Sequence, residues 1–159
     1  NKIFFASTGV IGEEFPEKKI IDAIRKNEIK SNNWMDAAKA IMTTDTFPKA
    51  ISFKTKVDNK VVTITGIAKG SGMIEPNMAT MLGFIFIDLE ISQKILQALL
   101  KQLNAKSFNR ISVDGDESTN DTVILASSNK IKLKNKINSI NDKRINNLKI
   151  SLYKVFNSL

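Results

Sequence analysis

The amino-acid sequence predicts an α+β fold, with sheets inside and helices outside. Three observations predict it: two segments rich in β-branched residues joined by a short turn, one strand that is apolar on both of its faces, and helices with a single apolar side. A strand that is apolar on both faces has to be covered from two sides, whereas a helix with one apolar side packs on one neighbour. We therefore expect a layered sandwich.

The first part of the chain is predicted to contain one strand and two helices. Residues 2–6 resemble a strand, and the turn-forming segment STGVIGEEF follows. Pro16 then opens an amphipathic helix, whose apolar face carries Ile20, Ile21, Ile24 and Ile29. A shorter helix follows in NNWMDAAKAIM, with Asn33 as a suitable N-terminal cap, and it ends in the polar segment TTDTFPK.

The middle of the chain is predicted to be β structure. The segments ISFKTKV and KVVTITGIAK alternate in polarity on either side of Asp58 and Asn59, which predicts a hairpin. After a loop that contains Gly70 and Gly72, the segment MLGFIFIDL is apolar at every position before its final Asp-Leu. This is the strand that we expect to be covered on both faces.

The last part is predicted to hold two helices. SQKILQALLKQLN has Ser92 as its cap, and its apolar side carries Ile95, Leu96, Leu99, Leu100 and Leu103. ISV, residues 111–113, is predicted to be a short strand. The final residues show helical spacing at Leu148, Leu152, Val155, Phe156 and Leu159.

Length and composition indicate one globular unit. With 159 residues, 42% hydrophobic and 25% charged, the chain can form one domain with a core, so we expect a single partial domain, residues 1–159. The longest apolar run is stopped by Asp88 and Glu90, far short of the roughly 20 residues of a membrane-spanning helix. The sequence starts without Met and stops within a helical pattern, so we expect a fragment, with no signal peptide.

Two missing residue types restrict the chemistry. The sequence has no Cys and no His, which excludes disulfides, thiolate nucleophiles, the commonest general base and the commonest zinc ligands. It also fits a reducing compartment. A nucleophile in this chain therefore has to be Ser or Thr, activated by an amine or a carboxylate.

The positive net charge of +8 does not by itself indicate a nucleic-acid partner. The lysines are spread along the chain instead of forming a cluster, and one Tyr and one Trp offer little surface for stacking on bases. We interpret the lysines as residues on solvent-exposed faces of helices and strands, and we expect no nucleic acid among the partners.

Thr80 lies where the glycine-bearing loop meets the buried strand. If the bond between Ala79 and Thr80 were cut, Thr80 would gain an α-amine with a pKa of about 7.7–8.0. That amine could accept the proton of its own hydroxyl, which makes a nucleophile without His. Alternatively, Thr80 simply opens a strand, as β-branched residues often do. The pattern alone leaves both interpretations open.

Two further segments could carry chemistry. In STGVIG, residues 7–12, the hydroxyl of Thr8 and the N–H of Gly9 could bind an oxyanion, although an ordinary turn has the same composition. DGDESTNDT, residues 114–122, resembles a calcium loop but has Thr119 where the loop needs Gly and Leu125 where it needs Glu. A helix-capping turn that uses Ser118 or Thr119 is the default interpretation, so no metal site is expected.

Four segments together indicate a family. STGVIG, TTDTFPK, GIAKGSGMIEPNMATMLGFIFID and SVDGDESTNDT, in this order, closely resemble the bifunctional glutamate N-acetyltransferase / ornithine acetyltransferase family of arginine biosynthesis. The resemblance runs from about residue 3 to about residue 128, and PNMATML is its most specific stretch. The fold that it implies is the αββα sandwich of self-processing enzymes with an N-terminal nucleophile.

The resemblance also implies a cleavage site and a nucleophile. Family members cut themselves between the Ala and Thr of ATML, here Ala79 and Thr80, so residues 1–79 would belong to an alpha chain and residues 80–159 to a beta chain. Thr80 would then be the nucleophile that becomes acetylated and contacts the substrate. Thr8 and Gly9 would form the oxyanion hole.

Two more residues match substrate-contacting positions of the family, namely Thr43 and Lys69. Lys69 is a reasonable cation for a substrate carboxylate, and its field would help to keep the Thr80 amine unprotonated. Other substrate contacts of the family, including a glutamate in a GEGATK-like motif, lie beyond Leu159. We therefore expect residues 1–159 to be inactive alone.

The implied reaction is ping-pong acetyl transfer from N-acetylornithine to glutamate. No metal or nucleotide cofactor is implied, although acetyl-CoA serves some relatives as a donor. Such enzymes are cytoplasmic and assemble as heterotetramers of two alpha and two beta chains, with no membrane partner. Two alternatives are a self-processing aminopeptidase or amidohydrolase of similar fold, in which water accepts the acyl group, and a non-catalytic basic binding module.

Overall fold

The structure is a computed structural model that describes residues 4–10, 12–26, 33–72, 81–115 and 120–159. Its centre is a four-stranded sheet in the order β1-β2-β3-β4. The strands are β1 (Lys49–Val57), β2 (Lys60–Lys69), β3 (Leu82–Leu89) and β4 (Thr122–Ile131). β1, β2 and β3 are antiparallel neighbours, whereas β4 runs parallel to β3. Since four helices accompany this sheet in the described residues, the predicted α+β class is confirmed.

The predicted hairpin is formed by β1 and β2. Asp58 and Asn59 make its two-residue turn with positive φ angles of 47° and 60°, the left-handed conformation that tight hairpins require and that Asp and Asn tolerate. Val57 pairs with Lys60 directly beside the turn. Because the turn fixes the register of this hairpin, it also places Lys49 of β1 opposite Ala68 of β2. In the separate pairing of β2 with β3, Lys69 ends β2 opposite Leu82.

β3 is central in the sheet and differs between its two faces. Ile85, Ile87 and Leu89 are at most 2% exposed and face the main core. On the other face Phe84 and Phe86 are only half-buried, and Trp34 packs on Phe86 with ring centroids 5.1 Å apart. The described residues therefore cover one face of β3 fully and its other face only in part. The sequence predicts that both faces of this strand are covered.

Two long helices cover the buried face. α3 (Gln93–Asn104) begins at Ser92, whose hydroxyl accepts a hydrogen bond from Ile95 N at 3.4 Å. α4 (Asn146–Ser158) packs on β1 and β2, and α3 packs on β4 and α4. Gly66 of β2 allows this close approach, because a Cβ there would lie 2.7 Å from Leu159 Cδ1. Both helices were predicted, and both are confirmed.

Two shorter helices precede the sheet. α2 (Trp34–Ala40) has the predicted cap, because the Asn33 side chain accepts hydrogen bonds from the N–H groups of Met35 and Asp36. α1 (Glu17–Lys26) also forms, but none of its residues is buried, and Ile24 is 62% exposed. Ile29 lies outside the described residues. No helix in the described parts of the chain is long and apolar enough to cross a membrane.

Three local predictions are wrong. Residues 4–6 are not a strand. A strand needs a hydrogen-bonding neighbour, and the described sheet consists of β1, β2, β3 and β4 without this segment. Residues 111–113 do not form the predicted strand, because only isolated bridges form, at Val113 and Asp114. The segment DGDESTNDT leads into β4 instead of capping a helix. Ser118 and Thr119 lie outside the described residues.

Candidate functional site

Four of the predicted site residues line one cavity of about 440 Å³. Thr8 and Gly9 come from the irregular segment 4–10, Thr43 from the turn after α2, and Lys69 from the last position of β2. The rest of the lining is Val10, Thr44, Gly70, Ser71 and Gly72. Thr8 and Lys69, which are 61 positions apart in sequence, therefore meet at one end of β2.

Ala79 and Thr80, the predicted cleavage site and nucleophile, lie outside the described residues. Their neighbour Met81 is described, and it is 5% exposed immediately before β3. Because Lys69 pairs with Leu82, the chain enters β3 beside the end of β2. The described residues thus fix the positions at which the chain leaves β2 and enters β3.

Lys69 is buried and bonded to Thr8. Its side chain is on the half-covered face of the sheet, yet the residue is only 2% exposed. Its Nζ donates a hydrogen bond of 2.8 Å to Thr8 Oγ1. A lysine is almost never buried to this extent unless it has partners, so the groups that stabilise the buried ammonium of Lys69 have to be identified.

The charge of Lys69 is opposed by burial and supported by two carboxylates. Burial lowers the pKa of Lys69 below its ordinary value, because the charged form loses its hydration, and the fields of Asp45 and Asp121 act in the opposite direction. The two acidic residues thus compensate in part for the removal of the ammonium from water.

Asp45 connects the two loops that frame the cavity. It is 8% exposed, and its carboxylate accepts hydrogen bonds from Gly70 N at 2.8 Å, Thr43 N at 3.4 Å and Lys49 Nζ at 2.5 Å. Burial alone would raise the pKa of Asp45, but the bonds from Lys49, Gly70 and Thr43 outweigh it and the pKa is lowered. Asp45 therefore remains ionised and holds Thr43 close to the end of β2.

A second contact between the same two loops involves only hydroxyl groups. Thr44 Oγ1 and Ser71 Oγ are 2.6 Å apart, and both residues line the cavity. Together with Asp45, this contact fixes the turn after α2 against the end of β2.

Asp121 holds the main chain at the start of β3. Its Oδ1 accepts a hydrogen bond from Met81 N at 2.5 Å, and the next residue, Thr122, donates from its N–H to Met81 O at 3.0 Å. Burial raises the pKa of Asp121, whereas the bond from Met81 and the field of Lys69 lower it, and the net shift is upward. Both polar groups of the Met81 backbone are thus bound by the residues at the start of β4.

Sequence reasoning did not identify Asp45 or Asp121 as site residues. Both lie in segments that carry the family resemblance, TTDTFPK and SVDGDESTNDT, so the signal was present. Neither segment reveals its partner, because the contact of Asp121 with Met81 requires the parallel pairing of β3 and β4. That pairing joins strands separated by a whole helix.

The fold and the cavity define a class of protein: an α+β protein with a hydroxyl, a buried cation and two carboxylates gathered at the end of a central strand. Comparison with known families identifies it further. The model of the ArgJ family matches residues 1–159, and the chain belongs to this family.

Curated relatives agree with this assignment. Proteins named arginine biosynthesis bifunctional protein ArgJ include one from Bartonella quintana, 49% identical over 134 residues, which cover 83% of this chain and 32% of the relative. Another, from Chlorobaculum tepidum, is 53% identical over 131 residues, or 81% of this chain and 32% of the relative. A third, from Neisseria gonorrhoeae, is 49% identical over 150 residues, or 94% and 36%. The chain spans about a third of the length of these relatives.

Proposed function

We propose that this chain is part of an arginine-biosynthesis enzyme that transfers an acetyl group from N-acetylornithine to glutamate. One observation carries the proposal: in a chain of the ArgJ family, the residues Thr8, Gly9, Thr43 and Lys69 line a single cavity. The relatives are named as bifunctional proteins of arginine biosynthesis, which supports the pathway.

The proposed enzyme first cuts its own chain. The hydroxyl oxygen of Thr80 attacks the Ala79 carbonyl, the acyl group moves from nitrogen to oxygen, and water hydrolyses the resulting ester. Thr80 then carries a free α-amine, which serves as its general base in a chain without His. The firm attachment of the following residue, Met81, to Asp121 and Thr122 supports a fixed geometry at this point of the chain.

Acetyl transfer then proceeds in two half-reactions. The Thr80 amine takes the hydroxyl proton, the oxygen attacks the acetyl carbonyl of N-acetylornithine, and the Thr8 hydroxyl and the Gly9 N–H bind the developing oxyanion. Collapse of this intermediate releases ornithine, whose nitrogen receives the proton. The amine of glutamate attacks acetyl-Thr80 in the same way, and N-acetylglutamate leaves.

The described cavity suits this chemistry electrostatically. Lys69 holds the Thr8 hydroxyl by a hydrogen bond of 2.8 Å, so the proposed oxyanion donor is itself bound to a cation. Thr43 lines the same cavity and is proposed to contact the amino-acid part of the substrate. The proposal includes no metal or nucleotide cofactor, allows acetyl-CoA as a second donor, and places the enzyme in the cytoplasm as two alpha and two beta chains.

The test uses the complete protein with N-acetylornithine, with and without glutamate. With glutamate we expect ornithine and N-acetylglutamate to form in equal amounts over many turnovers, and without it we expect about one ornithine per active site, because the first half-reaction needs no acceptor. Ornithine release that ignores glutamate would indicate a hydrolase instead, and absence of both products would refute the proposal. A third arm with acetyl-CoA and glutamate tests the second donor.

A variant tests the nucleophile. Thr80→Ala should give one uncut chain by intact mass spectrometry and no acetyl transfer, whereas the unsubstituted protein should give two chains. Ser128→Ala is the matched control, because it removes a hydroxyl from an exposed position of β4. Cutting that persists in Thr80→Ala would show that Thr80 is not the nucleophile.

A further inference from the structure

The hydrogen bond between Lys69 and Thr8 has a defined direction. A lysine ammonium carries three hydrogens and no lone pair, so it can only donate. At the observed distance of 2.8 Å, Thr8 Oγ1 must accept. The hydroxyl hydrogen of Thr8 is therefore directed elsewhere, and Thr8 remains able to donate to a third group.

The surroundings maintain this direction. If Lys69 lost its proton, the amine could accept from Thr8 and the bond could reverse. Asp45 and Asp121 act against that loss, since their fields raise the pKa that burial lowers. Both carboxylates are themselves fixed by main-chain donors, Gly70 N for Asp45 and Met81 N for Asp121.

We infer that Lys69 is a positioning residue of the oxyanion hole: by donating to Thr8, it directs the Thr8 hydroxyl hydrogen into the cavity and polarises it. This inference rests on the proposed acetyl transfer and deepens it. In the family resemblance Lys69 is a substrate contact, whereas the observed bond gives it a role that acts through another side chain.

Polarisation follows from the charge. A hydroxyl that accepts a bond from a cation becomes a stronger donor, because linked hydrogen bonds in a low-dielectric site reinforce one another. The gain is largest when the acceptor is an oxyanion, which exists only in the transition state and the tetrahedral intermediate. Loss of Lys69 should therefore lower kcat, whereas loss of a simple substrate contact should raise KM.

A double-mutant cycle tests the inference in the complete protein. Lys69→Met keeps an unbranched side chain one atom shorter and removes the charge, and Thr8→Val keeps the shape and removes the hydroxyl. We expect Thr8→Val to lower kcat by about 10²–10³-fold, the usual effect of losing one oxyanion donor, and Lys69→Met to lower it about tenfold with little change in KM. The double variant should match Thr8→Val alone, because Lys69 acts only through that hydroxyl.

Other variants and conditions complete the cycle. In a Thr8→Ser background, which keeps a hydroxyl, Lys69→Met should again lower kcat about tenfold, by the same coupling.

Lys54→Met is the matched control, since it removes a lysine from an exposed position of β1 and should leave kcat unchanged. The unsubstituted enzyme should lose activity at high pH as Lys69 deprotonates, and Lys69→Met should lack that decline. All rates are normalised to the cleaved chain, and thermal unfolding verifies that each variant is folded.

The outcomes separate the inference from the proposed function. Additive effects of Lys69→Met and Thr8→Val, or a Lys69→Met variant altered only in KM, would overturn the positioning role while acetyl transfer remains. An unsubstituted protein with no transfer from N-acetylornithine to glutamate would overturn the proposed function itself, before any variant is compared.

Discussion

Asp121 offers the sharpest test of how the start of β3 is fixed. In Asp121→Ala, the N–H of Met81 loses its acceptor at 2.5 Å in a residue that is 5% exposed. Hydrogen bonds to charged groups contribute about 1.5–3 kcal/mol, and about 1.4 kcal/mol corresponds to a tenfold change in rate. If the whole contribution is present in the transition state of the proposed self-cleavage, its rate should fall by about 10-fold to 100-fold.

The assay is a time course of intact mass after synthesis of the complete protein. Asp121→Asn is the matched variant, because its amide oxygen still accepts from Met81 N while the charge is removed. We expect Asp121→Asn to slow cleavage less than Asp121→Ala does, because it keeps a neutral hydrogen bond of about 0.5–1.5 kcal/mol. Cleavage of Asp121→Ala at the unsubstituted rate would refute the reasoning. Equal slowing of both variants would show that the charge matters, and not the hydrogen bond.

Two further predictions concern stability. Gly66→Val should lower the melting temperature and destabilise the protein by about 1–3 kcal/mol, because even a Cβ at this position lies 2.7 Å from Leu159 and 3.0 Å from Val155; an unchanged melting temperature would contradict this. Asp45→Asn should destabilise by about 3 kcal/mol at pH 7, since it breaks a buried ion pair. The pKa of Asp45 in the folded state is lowered from 3.8. In urea unfolding, the difference in free energy of unfolding between the unsubstituted protein and Asp45→Asn should therefore be complete above pH 3.8 and shrink as the pH falls through the lowered pKa. A difference that persists undiminished in acid would contradict the lowered pKa of Asp45.

Most of the fold could be predicted because its signals are local. The turn residues Asp58 and Asn59 fix the β1–β2 hairpin, and the caps Ser92 and Asn33 sit at the starts of α3 and α2. β4 was missed because its pairing is not local. Its partner β3 is separated from it by α3, and a parallel neighbour leaves no turn signal in the sequence.

The same distinction applies to the site. Thr8, Gly9, Thr43 and Lys69 were identified through a family resemblance and meet in one cavity, while their physical couplings were not predicted. Neither composition nor spacing indicates that Lys69 is 2% exposed or that it donates to Thr8. Such couplings depend on which strands become neighbours, and that is decided by packing over the whole chain.

The pairing of β2 with β3 has a consequence for the two chains that the proposed self-cleavage would produce. These strands are hydrogen-bonded from Ile64 with Ile87 to Lys69 with Leu82, and the proposed cut falls in the connection between them. Hydrolysis would therefore leave two polypeptides that share one continuous sheet, joined by the hydrogen bonds between β2 and β3. Separating the two chains would require global unfolding, so we expect them to unfold together in one cooperative transition and not to exchange between molecules.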